Sequence, residues 1–376
     1  MRRLRWGASV ALAAALLGSW PVGSAAQRCE IAPAAPAPAY RAAITAARAL
    51  VRDSMAAAKI PGLSVAVAVH DSIVWSEGFG LADVENEVPV SPCTRFRIAS
   101  VSKPLTAVAV VQLHARDRLD LDAPVQRYVP SFPQKPWPVT TRQLAGHLAG
   151  VRHYQGDEFL SMRHYDNVTA GLAVFASDSL LFEPGTRYSY STYGYNVLSA
   201  AVEGASGESF LAYMRRHIFE PLGMRSAVAE FPDSILAHRA HFYVRDRNGV
   251  LLNAPYVDNS YKWAGGGFLS NTEDLTRFGS ALLRPGFLGR DALALLFTPQ
   301  HTRDGKPTTY GMGWFVDWRE NGHVVPHHSG GAVGGNAHLA LYPEQGMVIA
   351  VLANTEAGFV GRGTVVRQIA ELFRRQ

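Results

Sequence analysis

The 376-residue chain predicts an α/β protein in which an antiparallel sheet flanked by helices is joined to an all-helical lobe. Three observations predict it. Strand-like runs gather at both ends of the chain, helical periodicity precedes the first and follows the last, and the middle, roughly 105–300, is dominated by helical segments and long loops. About 350 residues follow a leader-like start, more than one simple core supports, so two packed lobes with a ligand cleft between them are expected.

Arg2, Arg3 and Arg5 precede the apolar run Ala8 to Leu17 and the small residues Gly23-Ser24-Ala25-Ala26. This is the pattern of a cleaved secretory signal peptide over 1–26, and it predicts a secreted or periplasmic protein. The apolar run is too short for a stable membrane span, so none is expected after cleavage. Residues 27–39, with Ala-Pro-Ala-Ala-Pro-Ala-Pro at 32–38, read as a stiff tether. The folded body is expected over 40–376, with a sheet lobe from about 40–104 and 305–376 and a helical lobe from about 105–304. Residues 40–58 are alanine-rich and helical in period until Pro61-Gly62 breaks them. Leu63 to Val69 and Ser72 to Gly80 then read as a hairpin turning at His70-Asp71. Met312 to Trp318, His338 to Tyr342 and Met347 to Asn354 read as strands, and 361–375 as a helix.

The net charge of +5 falls to about +2 without the arginines of the leader, too little to predict nucleic acid or an anionic membrane surface as a partner. A small molecule or peptide is the expected partner. Cys29 and Cys93 are the only cysteines, and the sequence allows either a disulfide between them or two unpaired thiols. His238-Arg239-Ala240-His241 and His323 to His327 lack metal-ligand spacing, so no metal and no cofactor is expected.

Ser100-Val101-Ser102-Lys103 opens a segment too apolar for an exposed helix, Leu105 to Leu113, and Pro104 cannot lie deep inside a helix. The helix therefore starts near Ser100. Residues three apart share a helix face, so Ser100 and Lys103 can touch while Ser102 and Lys103 cannot. A helix N-terminus also favours a developing alkoxide at Ser100. The same four residues suit an N-capping serine with a solvated lysine. Composition favours chemistry: lysine occurs only at 59, 103, 135, 262 and 306, and a buried lysine can release its proton where arginine cannot.

Two further clusters follow. Tyr188-Ser189-Tyr190-Ser191-Thr192 comes after the turn Pro184-Gly185, and a desolvated tyrosine can relay protons; an aromatic cluster packing a loop is the alternative. His327-His328-Ser329-Gly330-Gly331 precedes a strand-like stretch. Its glycines let backbone approach a ligand, and an edge N–H can form half an oxyanion hole; a glycine-rich hairpin with solvated histidines is the alternative.

The three clusters, in this order, resemble the serine β-lactamase and penicillin-binding superfamily in its class C-like branch, which carries S-x-x-K, then Y-x-N, then K-T-G or H-x-G. Here the counterparts are Ser100 to Lys103, Tyr190 to Thr192 and His328 to Gly330. The likeness extends to Gly78-Phe79-Gly80-Leu81-Ala82-Asp83-Val84-Glu85, Arg97-Ile98-Ala99-Ser100, Leu119-Asp120-Leu121-Asp122, Gln143-Leu144 with His147, Gly150 to Tyr154, and Ala264-Gly265-Gly266. Tyr-Ser-Thr with Val151-Arg152-His153-Tyr154 is most similar to mitochondrial β-lactamase-like serine proteases and their bacterial relatives.

The resemblance implies a β-lactamase/transpeptidase-like fold and an acyl-enzyme mechanism without a cofactor. It makes Ser100 the nucleophile, with Lys103 and Tyr190 sharing acid and base work. Thr192, His328, Ser329, Gly330 and Gly331 would hold substrate and oxyanion, the latter on the N–H groups of Ser100 and Gly331. Two departures bear on substrate. Thr192 stands where an asparagine usually orients lysine and amide, and His328 where a fixed lysine cation usually holds a carboxylate. A histidine supplies that charge only when protonated. Both favour a peptide or ester over a β-lactam. A β-lactamase or D-alanyl-D-alanine carboxypeptidase is the alternative enzyme, and a non-catalytic penicillin-binding-type receptor the alternative of another class.

Overall fold

The computed structural model describes residues 38–374 apart from 357 and 362. The expected signal peptide and the tether as far as residue 37 lie outside the described residues, as does Cys29; Cys93 is not a free thiol. Helix α1 (Arg41–Ala58) buries the stripe Ile44, Ala47, Val51 and Met55, and ends where Lys59 turns left-handed just before Pro61. Strands β1 (Gly62–Val69), β2 (Ser72–Asp83) and β3 (Val88–Pro89) follow. The β1–β2 turn puts His70 and Asp71 at φ 47° and 66°, the left-handed pair whose twist suits a hairpin. From the far end of the chain come β4 (His327–Ala332), β5 (Gly335–Tyr342) and β6 (Met347–Ala353).

Together these make one antiparallel sheet in the order β4-β5-β6-β1-β2-β3, so the two chain ends meet where Val65 pairs with Val351. Helices α2 (Ser102–His114), α3 (Thr192–Ser206), α4 (Thr272–Leu283) and α5 (Thr364–Arg374) complete the frame. Strand β6 shows how the faces are divided. Met347, Ile349, Val351 and Ala353 join the core under α1 and α5, while Val348, Ala350 and Leu352 join the core that continues into α2, α3 and α4. Both faces are covered, which is why β6 contains no polar residue. Helix α4 packs closely on the second face: a Cβ on Gly279 would stand 2.5 Å from Val348, and Thr272 shares a hydrogen bond with Ser64 of β1. Each fully buried Val or Leu in these layers contributes about 1.5–3 kcal/mol.

The run Met312 to Trp318 departs from its expected strand. Met312, Trp314, Val316 and Trp318 are buried in alternation, but the backbone forms only isolated bridges, at Tyr310–Phe315 and Phe315–His327. Gly313, at φ 83°, turns the chain against Ala107 and the Lys103 carbonyl, so the alternation reflects burial of every second side chain rather than ladder pairing. Histidines 241, 323 and 327 each meet one carboxylate, from Asp83, Glu344 and Asp317 respectively.

Candidate active site

A short ribbon assembles the site. Phe96–Arg97 pairs with Phe268–Ser270, which pairs with Val228–Ala229, bringing the segment before Ser100 beside the turn 260–267. Ala99–Val101 then form a 3-10 turn and α2 begins at Ser102, with Pro104 in its first turn where no intrahelical N–H is needed. Every α2 residue except the last, His114, is buried. Ala99 is left-handed at φ 48°, a conformation that costs an alanine energy and that the packed surroundings hold in place directly before Ser100. On the facing side Ser191 caps α3, accepting from the Gly194 N–H, and so places Tyr190 and Thr192 at the helix entrance.

Lys103 lies wholly inside the protein, 0 % exposed, and its Nζ meets three oxygens: Gly265 O at 2.7 Å, Ser100 Oγ at 3.0 Å and Thr192 Oγ1 at 3.1 Å. Burial, reinforced by the field of Lys262, holds its pKa well below that of an ordinary lysine. In the neutral amine two N–H bonds serve Gly265 and Thr192, and the lone pair is left for the Ser100 hydroxyl. Ser102, by contrast, is buried with an unpartnered Oγ. The Tyr190 ring lies 4.8 Å from the Lys103 nitrogen, and its hydroxyl interacts with the Ser100 side chain. Burial raises the Tyr190 pKa well above that of free tyrosine, so the phenol keeps its proton near neutral pH.

Two histidines of the 147–153 loop anchor this corner. His147 Nδ1 accepts the Ser191 N–H at 3.1 Å and its ring packs 4.3 Å from that of Tyr190; His153 Nδ1 accepts the Thr192 N–H at 3.2 Å. Burial and the neighbouring Lys103 lower both, His153 to about 4, so each stays a neutral acceptor.

The third cluster is itself a strand, β4, on the sheet edge, rather than the approach to one. A Cβ on Gly330 would come within 2.5 Å of the Ile98 carbonyl and 3.0 Å of the Ser100 nitrogen, so glycine is what lets the strand lie against the Ser100 turn. The two-residue turn Val333–Gly334 makes Ala332 and Gly335 the hydrogen-bonded closing pair. Alternation along the strand then turns the backbone groups of Gly331 and Ser329 away from β5, leaving the Gly331 N–H free at the edge. His328 shares the inward face of Gly330. It is 1 % exposed, with Nδ1 on the Ser329 carbonyl at 2.6 Å and Nε2 on the Tyr310 hydroxyl at 2.8 Å. Burial and Lys103 hold its pKa well below the ordinary histidine value. With both ring nitrogens engaged inside the protein, His328 does not line the cavity as the substrate-holding group that the resemblance implies.

Ser100, Thr192 and Gly331 open onto a cavity of about 350 Å³ that is also lined by His153, Tyr154, Phe159, Gly266 and Lys262. A larger groove of about 770 Å³, beside His114 and Ala115 at the far end of α2, holds none of these groups. Sequence reasoning named His147 and His153 only as parts of family-like motifs, and gave neither them nor Lys262 a place in the site. Lysine scarcity was a signal for Lys262, but its place in the cavity is set by the ribbon and the turn 260–267.

A serine with a buried lysine of lowered pKa, a tyrosine beside the same hydroxyl and a free edge N–H, between an antiparallel sheet and packed helices, define a serine hydrolase of β-lactamase type. The chain belongs to this family: the Beta-lactamase family model matches residues 47–372. The human serine beta-lactamase-like protein LACTB, mitochondrial, is 33 % identical over 450 aligned positions, covering 90 % of this chain and 82 % of that protein. Penicillin-binding protein 4* of Bacillus subtilis is 28 % identical over 78 % of this chain and 68 % of its own. Among solved structures, a penicillin-binding protein from Bacillus halodurans matches with a TM-score of 0.73 and 26 % identity, covering 85 % of this chain and 99 % of that one.

Proposed function

We propose that the protein hydrolyses a peptide or ester through an acyl-enzyme on Ser100. The observation that carries this is the wholly buried Lys103 amine, 3.0 Å from Ser100 Oγ and held by Gly265 and Thr192, whose pKa burial lowers well below that of an ordinary lysine. Ser100 Oγ attacks the carbonyl carbon as its proton passes to Lys103. The developing oxyanion sits on the N–H groups of Ser100 and Gly331, and the N-terminus of α2 favours its charge. Tyr190, still protonated, gives its proton to the leaving nitrogen or oxygen and is reprotonated from Lys103. Water then attacks the ester, with the Lys103–Tyr190 pair accepting its proton and returning one to Ser100.

Thr192 in place of an asparagine and the inward His328 support peptides or esters over β-lactams. The leader-like residues 1–26 support an exported, secreted or periplasmic protein; N-terminal sequencing of the mature protein should start at Gln27. For the chemistry, a fluorophosphonate should add its mass to Ser100, and Ser100→Ala should abolish both labelling and turnover across a panel of esters, peptides and nitrocefin. Labelling that survives in Ser100→Ala, or maps to Ser102, rejects the assignment.

A further inference from the structure

Strand β4, which carries the Gly331 N–H, and the turn that carries Ser100 lie against each other without a shared ladder. A Cβ on Gly330 would meet both the Ile98 carbonyl and the Ser100 nitrogen. Yet among the described residues no main-chain hydrogen bond joins residues 95–101 to the hairpin 327–342. A side chain makes the link instead: Arg97 Nη1 donates to the Val333 carbonyl at 2.6 Å, two residues beyond Gly331.

The rest of that guanidinium is fixed on every side. Its Nε meets both Glu230 oxygens at 2.9 and 3.0 Å, its Nη2 lies 2.8 Å from Oε1, and the centre of the Phe242 ring lies 4.2 Å from its carbon. Phe242 also presses on the turn that Arg97 holds, since a Cβ on Gly334 would stand 2.8 Å from the Phe242 Cβ. Glu230 is tied to both ends of the turn 259–267: Asn259 Nδ2 donates to its carboxylate at 2.6 Å, and its own N–H donates to the Gly267 carbonyl at 2.9 Å. Between those two points lies Gly265, whose carbonyl takes the Lys103 amine. Arg97 and Glu230 are 7 % and 2 % exposed. A buried ion pair stabilises a fold no better than apolar residues of similar volume, so stability does not account for this one. What the planar fork of arginine supplies is fixed directions for its N–H groups.

We propose that Arg97 is a positioning residue for the oxyanion hole: anchored by Glu230, it sets where the Gly331 N–H stands relative to the Ser100 N–H. This rests on the reading of Ser100 as the acylated residue. Arg97 acts through the Val333 carbonyl on the hairpin, and its Glu230 anchor keys the same geometry to the turn that orients Lys103.

The test compares 4-nitrophenyl acetate with its thiono counterpart, in which sulfur replaces the carbonyl oxygen. Sulfur is a weak acceptor, so only the oxygen ester draws fully on the two N–H groups. Relative to their hydroxide hydrolysis, the natural protein should favour the oxygen ester about a hundredfold in kcat/KM, the order of effect that one hole donor carries. Arg97→Lys keeps the charge without the fork, and Glu230→Gln keeps the shape while weakening the anchor. Each should lower kcat/KM on the oxygen ester about ten- to a hundredfold and change the thiono ester far less, so that the ratio shrinks. A loss shared equally by both esters marks a merely structural pair and overturns the proposal, as does a natural ratio near one. Failure of both variants to fold, even in the cold with trimethylamine N-oxide, overturns it too. Where neither ester is turned over, the rates at which a fluorophosphonate and its P=S analogue label the protein replace them under the same criteria. Labelling of Ser100 with a ratio that the variants leave unchanged removes the Arg97 assignment alone. An oxygen preference that shrinks in the variants without label on Ser100 removes the Ser100 reading alone, and the absence of both removes the two together.

Discussion

The start of α2 and the turn 260–267 each bury one lysine, and the two surroundings differ in kind. Around Lys103 the neighbours are oxygens, at 2.7, 3.0 and 3.1 Å; around Lys262 they are ring faces, at 4.3 and 5.1 Å. Burial lowers both amines, Lys262 to about 7, so desolvation alone does not separate their roles. Geometry does. Two fixed acceptors orient the Lys103 lone pair at one hydroxyl, as a base requires, whereas rings fix no direction for the Lys262 nitrogen.

The largest expected effect comes from making the first site resemble the second in charge. Lys103→Arg keeps a cation but cannot accept a proton, so kcat/KM should fall on the order of a thousandfold, with Ser100 still present. In the natural protein kcat/KM should rise as pH increases through the lowered Lys103 pKa and then level off, because only the neutral amine accepts the serine proton. That rising limb should vanish in the variant. An arginine variant with most of its activity would show that Lys103 acts as a charge.

Removing one of the orienting oxygens should do less. Thr192→Val leaves Gly265 and Ser100 on the amine and deletes a single neutral hydrogen bond of about 1 kcal/mol, so a fivefold to tenfold loss in kcat with little change in melting temperature is expected. A loss as large as that of Lys103→Arg would mean that Thr192 carries protons itself.

The effect on stability has the opposite sign and leaves the chemistry of Ser100 aside. Lys262→Met replaces an unpaired buried amine by an apolar stem of similar length and should stabilise the fold, on the order of 1–4 kcal/mol. Its folded pKa is about 7 against an ordinary value of 10.5, so between these the unfolded chain binds the extra proton and the natural protein gains stability as pH rises. The gain from Lys262→Met should therefore be largest at pH 7 and below and shrink toward pH 10, as urea denaturation at a series of pH values would read. A destabilised variant would show that Lys262 has a structural partner.

The legible and illegible parts of the site follow the same division. Ser100, Lys103 and Tyr190 were readable because helix spacing and motif order fix them locally. The alternation of Met312 to Trp318 was readable as burial, but pairing depends on what lies alongside, and Gly313 turns that segment away from any ladder. The resemblance put His328 among the substrate-holding groups, and the placement of its strand turns it inward. Once Gly330 must face Ile98 and Ser100, His328, two residues earlier, must face inward too. Lys262 carries no periodicity, and nothing local distinguishes it from a solvated lysine between two aromatics.

The burial of α2 has a consequence for how the protein ages and fails. With Ser102 to Leu113 enclosed on all sides, there is no small local fluctuation that exposes their amides while the rest of the core stays intact. Deuterium should enter this helix only when the whole domain opens, so the Ser100–Lys103 pair has no softer mode of loss than global unfolding. Heat inactivation and loss of tertiary structure would then coincide, and a destabilising substitution anywhere in the shared core would shorten the life of Ser100 and Lys103 as surely as one beside them.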